Sequence, residues 1–270
     1  MHITIESAAA FAAIVFVAGV GAGAPMQQAQ RAAQRPPTDH PVAPATPVGA
    51  ATGVIVGRVR WQGALPPRPS TTPPAAMAAC GASIPFQALE VGADQGVAWA
   101  ELSVEGLQGH AAPRTVTLMQ HGCVFSPHVL VAPVGSTLSM QNHDPLLHNV
   151  HALRQGTSVF NVASIQGLVA SQVVTTPGLL VLQCDAGHPW MHAYVHVVTD
   201  PFHDVSNAHG AFRIENVPPG HYTVRMWHEG WTPRPSPDGH AAFGEPVVRE
   251  HTVDVTAGGQ SEVNFTLPGT

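Results

Sequence analysis

Lysine is absent from all 270 residues, so every permanent side-chain cation is an arginine. We read that absence as coding bias and not as chemistry. Charged residues of all kinds make up only 10%, which is low for a cytosolic protein. The formal net charge of −6 excludes a basic phosphate-binding face, and with it nucleic acid as a partner. No window carries the sustained 3.6-residue apolar period of an amphipathic helix. Nucleophile elbow, Walker loop and dinucleotide fingerprint are all missing, which argues against hydrolase and nucleotide chemistry. Paired His-x-His motifs, which a three-copper oxidase cluster needs, are missing too. The chain is read as a non-enzyme. Cysteine is limited to three residues, Cys80, Cys123 and Cys184.

What is abundant points elsewhere. Glycine and proline stand at 26 each, favouring short strands and turns over long helices. Hydrophobic residues are 44%, enough for a true core. Histidine is the outlier at 17, and neutral imidazole is the commonest metal ligand.

The first 25 residues read as a secretory signal or a retained anchor: an apolar run from Ala8 to Ala24 ends in small residues, without an Arg or Lys before it and with Glu6 present. Residues 26–50 are polar, proline-rich and read as a flexible linker. No second apolar stretch is long enough to span a bilayer, so membrane contact is expected only if the first segment is retained. Export, to a periplasm or cell surface, favours disulfides. An odd cysteine count leaves one thiol over. If Cys184 holds a metal, Cys80 and Cys123 can pair; the alternatives are that both stay free and buried, or that Cys123 is itself a ligand.

Strand-like runs dominate the rest. "GVIVGRVRW" alternates, with Ile55, Gly57, Val59 and Trp61 on one side. "RTVTLMQ", "HVLVAPVGSTLSMQN", "LLVLQC" and "MHAYVHVV" are short, rich in β-branched or aromatic residues and bounded by turn residues. The expected organisation is all-β: an N-terminal β segment over 51–112, a sandwich over 113–199 and a second over 200–270.

The chemistry concentrates in "CDAGHPWM", Cys184 to Met191. A thiolate, imidazoles and a weak thioether form a ligand set that suits copper; zinc makes poor use of a thioether. The turn supplies one histidine. "MQNHDPLLHNVHA" offers His143, His148 and His151 for the other.

These residues resemble a known family. "VGSTLSMQNHDPLLHNV" followed by "GLLVLQCDAGHPWMHAYVHVV" is similar to the two halves of a cupredoxin, the Greek-key blue copper fold of amicyanin and plastocyanin, over about Arg114 to Thr199. The resemblance implies one copper ion on His148, Cys184, His188 and Met191. It also implies that Asn149 ties the two ligand segments together. Three residues separate Cys184 from His188, where amicyanin and plastocyanin have two. The same spacing occurs in the dinuclear copper site of terminal oxidases, but the second cysteine position is Leu180 here, so a mononuclear centre is implied. "GAFRIENVPPGHYTVRMWHEG" resembles the carboxypeptidase regulatory-like, or transthyretin-like, sandwich. "GVIVGRVRWQGALP" resembles the first strand of that family, as a second module or a separate segment. "MWHEG" does not read as a metalloprotease motif, because the second histidine at helical spacing is missing and the segment reads as a strand.

In the strand after Met191, Ala193, Val195 and Val197 are expected in the core and His192, Tyr194 and His196 in solvent. His121, His128, His143 and His151 are expected in turns or on the surface. The functional expectation is an exported copper protein passing single electrons, with His188 at the surface and Pro189 and Trp190 forming a docking patch for a redox partner; Trp190 serves equally well as a core filler. Copper storage or delivery, or a structural surface protein with a vestigial site, are the alternatives.

Overall fold

The computed structural model describes residues 51–268. The expected signal and the whole of the expected linker lie outside the described residues. The architecture is all-β, with a single short 3-10 stretch, Ala75–Cys80, among the described residues. Two sandwiches are present, each with its own apolar core.

The first sandwich packs a five-stranded sheet against a four-stranded one. The five-stranded sheet runs Thr157–Ser164, His148–Arg154, Gly178–Gln183, His192–Val198, Val129–Pro133. The facing sheet runs Val169–Val173, Thr137–Asn142, Thr115–Gln120, Phe125–Ser126. Alternation drives this pairing, because every second residue of a strand faces the partner sheet. Leu118, Leu138, Met140, Val150, Leu180, Leu182, Ala193 and Val195 meet between the sheets, all essentially without exposure. The Val129–Pro133 strand lies parallel to His192–Val198, and Thr115–Gln120 lies parallel to Thr137–Asn142. The strand that carries His148 and the strand that ends at Gln183 are antiparallel neighbours, so His148 and Cys184 emerge at the same end.

The second sandwich draws on both ends of the described chain. Gly53–Trp61 pairs with Ala211–Val217 on one side and with Gln260–Glu262 and Phe265–Leu267 on the other. Its buried face is Ile55, Gly57, Val59 and Trp61, as the alternation implies. Glu101–Val104 lies between His203–Val205 and Gly220–His228, with Val247–Val255 beyond. The early strand is therefore neither a second module nor a separate segment; it completes the carboxy-terminal sandwich.

The two sandwiches meet face to face, and here one expectation is corrected. His192, Tyr194 and His196 do not face solvent: His192 is 6% exposed and the other two are half-buried. The outer face of the Gly220–His228 strand covers them. Trp227 stacks edge-on against Tyr194 and His196 at 5.2 and 4.7 Å between ring centres. Period-two patterning separates the two faces of a strand, but says nothing about a second domain landing on the outer one.

Candidate metal centre

His148 opens its strand and is fully buried. Its Nε2 lies 2.9 Å from Asp144 Oδ2. Asp144 also accepts the backbone N–H groups of Gly122 and Cys123 at 2.7 and 2.9 Å. Burial alone would raise this carboxyl; the amides of Cys123 and Gly122 together with the His148 ring outweigh it and hold it below the ordinary carboxylate range. A carboxylate only accepts, so Nε2 of His148 carries the proton and Nδ1 presents its lone pair. That lone pair points toward Cys184.

Cys184 follows the Gly178–Gln183 strand and is buried with a free thiol. Its Sγ lies 3.8 Å from His148 Nδ1 and 3.8 Å from His188 Nδ1. The two Nδ1 atoms are 3.3 Å apart. An imidazole binds a first-row ion at about 2.0 Å and a thiolate at about 2.3 Å. Three such ligands in one plane stand roughly 3.5 Å apart nitrogen to nitrogen and roughly 3.7 Å nitrogen to sulfur. The observed triangle thus matches a single shared ion. Burial pushes the thiol pKa up, while hydrogen bonds from the backbone of Asn149, Ala186 and His188 work against that shift. A bound cation is what would take the thiol to thiolate in such a pocket.

His188 completes the triangle. Burial and the neighbouring His148 push its pKa down to about 4, so the ring is neutral at ordinary pH and its lone pair is available. Met191 is 1% exposed, packs in the same core as Cys184, and donates its N–H to the His188 carbonyl at 3.0 Å, which closes the turn. Asn149 spans the two segments: its Oδ1 accepts the Ala186 N–H at 3.0 Å and its Nδ2 donates to Asp185 Oδ2 at 3.2 Å. All four expected donor residues and Asn149 therefore sit at one end of the first sandwich.

Cys80 and Cys123 are disulfide-bonded, which removes Cys123 from the candidate ligands. The bond places the Ala75–Cys80 stretch over the Cys184–His188 turn. Gly187 has φ +85°, a left-handed backbone that favours glycine, and Met77 Cε lies 2.6 Å from where a Cβ would stand. From the other side, Ala241 donates its N–H to the Pro189 carbonyl at 2.7 Å and His240 Nε2 lies 3.2 Å from Asp185 Oδ1. As a result His188 is not at the surface: it is 2% exposed, and its Nε2 is buried without a partner. Trp190, 7% exposed, fills the core and donates Nε1–H to the Cys123 carbonyl at 2.9 Å. Only Pro189 of the expected docking patch is exposed.

The remaining histidines divide. His121 and His143 are exposed as expected. His151 is half-buried, its Nδ1 2.8 Å from Asp185 Oδ2. His128 is not on the surface; it is 1% exposed and meets Glu229 of the second sandwich. Asp144 was missed by sequence reasoning, although it stands four residues before His148.

Residues 181–268 match the family model of the carboxypeptidase regulatory-like domain. That span takes in the strands from His203 onward and the end of the first sandwich, but not Gly53–Trp61 or Glu101–Val104, which the regulatory-like sandwich nonetheless incorporates. No curated protein matches the chain. Among solved structures, a purple cupredoxin from Nitrosopumilus maritimus is 22% identical, covering 31% of this chain and 99% of its own, with a TM-score of 0.28. A copper-containing nitrite reductase from Thermus scotoductus SA-01 is 27% identical over 36% of this chain and 24% of its own, with a TM-score of 0.29. A reduced mutant of amicyanin is 18% identical over 36% of this chain and 98% of its own, also at 0.29. At such TM-scores the copper reading rests on the donor set and not on these likenesses.

Proposed function

We propose that His148, Cys184, His188 and Met191 hold one copper ion, and that the protein is an exported single-electron carrier. The reading is carried by the triangle of Nδ1, Nδ1 and Sγ, whose edges of 3.3, 3.8 and 3.8 Å suit three ligands on one ion. Bound copper in such a soft, buried site supplies a one-electron Cu(I)/Cu(II) couple. The chain's own residues do the rest. Asp144 fixes the His148 tautomer and ring orientation. Burial keeps His188 neutral. Asn149 holds the Cys184 turn against the His148 strand, so the donors need not rearrange between oxidation states. Titration of the purified chain with Cu(II) should give an intense visible sulfur-to-copper band saturating at one equivalent. Cys184→Ser should abolish it, and Met191→Ala should move the potential more than the affinity. A free Cys184 thiol with no band at excess copper would overturn the reading.

A second reading, copper storage or delivery, is favoured by one observation: the His188 edge is covered by Met77, His240 and Ala241 where a carrier would present it. Slow electron self-exchange with tight Cu(I) retention against a chelator would select it over the carrier. If the carrier reading holds, the redox partner docks elsewhere than at Trp190. Leu147, Ile165 and Leu168 are 57, 54 and 60% exposed. They belong to two loops joined by Asn142, whose Nδ2 donates to the Leu146 and Ser164 carbonyls. Leu147 directly precedes His148, so this apolar surface is the docking face we propose.

A further inference from the structure

A second group of donors lies where the two sandwiches meet. His128 precedes the Val129–Pro133 strand, His192 and Tyr194 open the strand after the Cys184 turn, and Glu229 follows Gly220–His228. His128, His192 and Glu229 are 1, 6 and 3% exposed. One carboxylate faces both rings. His128 Nε2 is hydrogen-bonded to Glu229 Oε1. His192 Nε2 lies 3.2 Å from Oε2, and the Tyr194 hydroxyl donates to Oε2 at 2.9 Å. The two rings stand edge to face with centres 4.8 Å apart, and one donor atom from each of the three residues falls within 4.8 Å of the others.

The backbone prepares one ring for a cation. His192 Nδ1 lies 3.2 Å from the Trp190 carbonyl. A carbonyl only accepts, so Nδ1 carries a proton there. In the neutral ring Nε2 then presents a lone pair, and it faces a carboxylate lone pair. Something positive must sit between them, either a second proton or a metal ion. His128 differs: its Nδ1 is buried with no partner, so a neutral ring carries its proton on Nε2 and donates it to Oε1. Without a metal each contact then holds one proton, and the His192 ring is a cation buried against the Glu229 carboxylate, which a low-dielectric interface penalises. One divalent ion replaces both protons and uses all three donors.

We propose that His128 Nε2, His192 Nε2 and Glu229 form a second metal site, for a divalent first-row ion of the zinc class. Two imidazoles and a carboxylate are a recognised set for such ions, and it contains no sulfur, unlike the site around Cys184. Tyr194 hydrogen-bonds the ligating carboxylate and orients it. Two ligands belong to the first sandwich and one to the regulatory-like sandwich, so the ion clamps the two together. The inference stands independently of the copper reading.

Zinc is the probe. Crystals of the full chain grown with Zn(II) should show anomalous density between the two Nε2 atoms and Glu229. In solution, the Cys184→Ser protein should retain one more zinc per chain after dialysis than the Cys184→Ser, Glu229→Gln protein. Should the Glu229 variant fail to fold, His128→Asn in the same background gives the same comparison, and the crystal measurement needs no variant. No density at that position under saturating zinc, or equal zinc content with and without the Glu229 carboxylate, would overturn the proposal. Failure of the Cys184 site would instead show as an absent visible band with this zinc unchanged.

Discussion

Among single residues, Asp144 has the largest lever on the site without touching an ion. Three donors converge on it, two of them backbone amides. Asp144→Ala leaves the buried Cys123 amide unsatisfied, a cost on the order of 1–3 kcal/mol, and frees the His148 ring to turn. We expect the apo protein to lose about that much in urea unfolding, and copper affinity, read by chelator competition, to fall about 10–100-fold. The ligands themselves were legible because their chemistry is unusual: a thiol, an imidazole and a thioether crowd one turn, and His-Asn stands upstream. Asp144 was not, since an aspartate before a proline in a loop looks like ordinary turn chemistry until its acceptors are placed. Glu229 was weighed only as part of a protease motif; its partners lie in the other sandwich, 37 and 101 residues away.

At the level of elements, the covering of the Cys184 turn depends on a short 3-10 stretch pinned by one covalent bond. Cys80 and Cys123 are separated by 43 residues, so joining them removes considerable freedom from the unfolded chain. Replacing both with serine should lower stability by roughly 2–4 kcal/mol. It should also free Met77 from Gly187, and copper loss to a chelator should then quicken; unchanged loss would mean that the regulatory-like sandwich alone covers His188. The regulatory-like sandwich is seated on the first by the strand Gly220–His228, whose Trp227 is 4% exposed against Tyr194 and His196. Trp227→Ala should cost roughly 3–5 kcal/mol in the same assay. Strands such as Gly53–Trp61 and His192–Val198 were readable in place and in face, because period-two alternation marks which side is apolar. Their partners were not. Gly53 pairs with Val217, and no local pattern encodes a pairing across that much chain.

For the molecule as a whole, the density of buried histidine makes stability a function of pH. Burial depresses the pKa of His148, His188, His196 and His228 in the folded chain. Each of these binds less proton folded than unfolded once the pH drops toward the unfolded value of about 6.5. Their contribution is therefore complete above that value and drains as pH falls, for His188 down to about 4. His192 and His203 oppose this. Burial would depress them too, but Glu229 and Glu101 outweigh it and raise them. Their contribution is complete below about 6.5 and is lost as pH rises through the folded value. Four depressed rings against two raised ones set the sign: the apo protein should weaken from pH 7.5 to pH 5. Below that, Asp144, Asp185 and Glu229, all held below the ordinary carboxylate range, add to the loss as their protonation begins. Urea midpoints of the chelator-treated chain at three pH values between 7.5 and 5 should fall in order, with a slope of about 1.4 kcal/mol per pH unit for each net proton. His228→Gln should flatten that slope, because it removes a depressed ring that binds no proposed ion. A profile that rises toward pH 5 would mean that the two Glu-paired histidines, His192 and His203, outweigh the four depressed rings and govern how the molecule responds to acid.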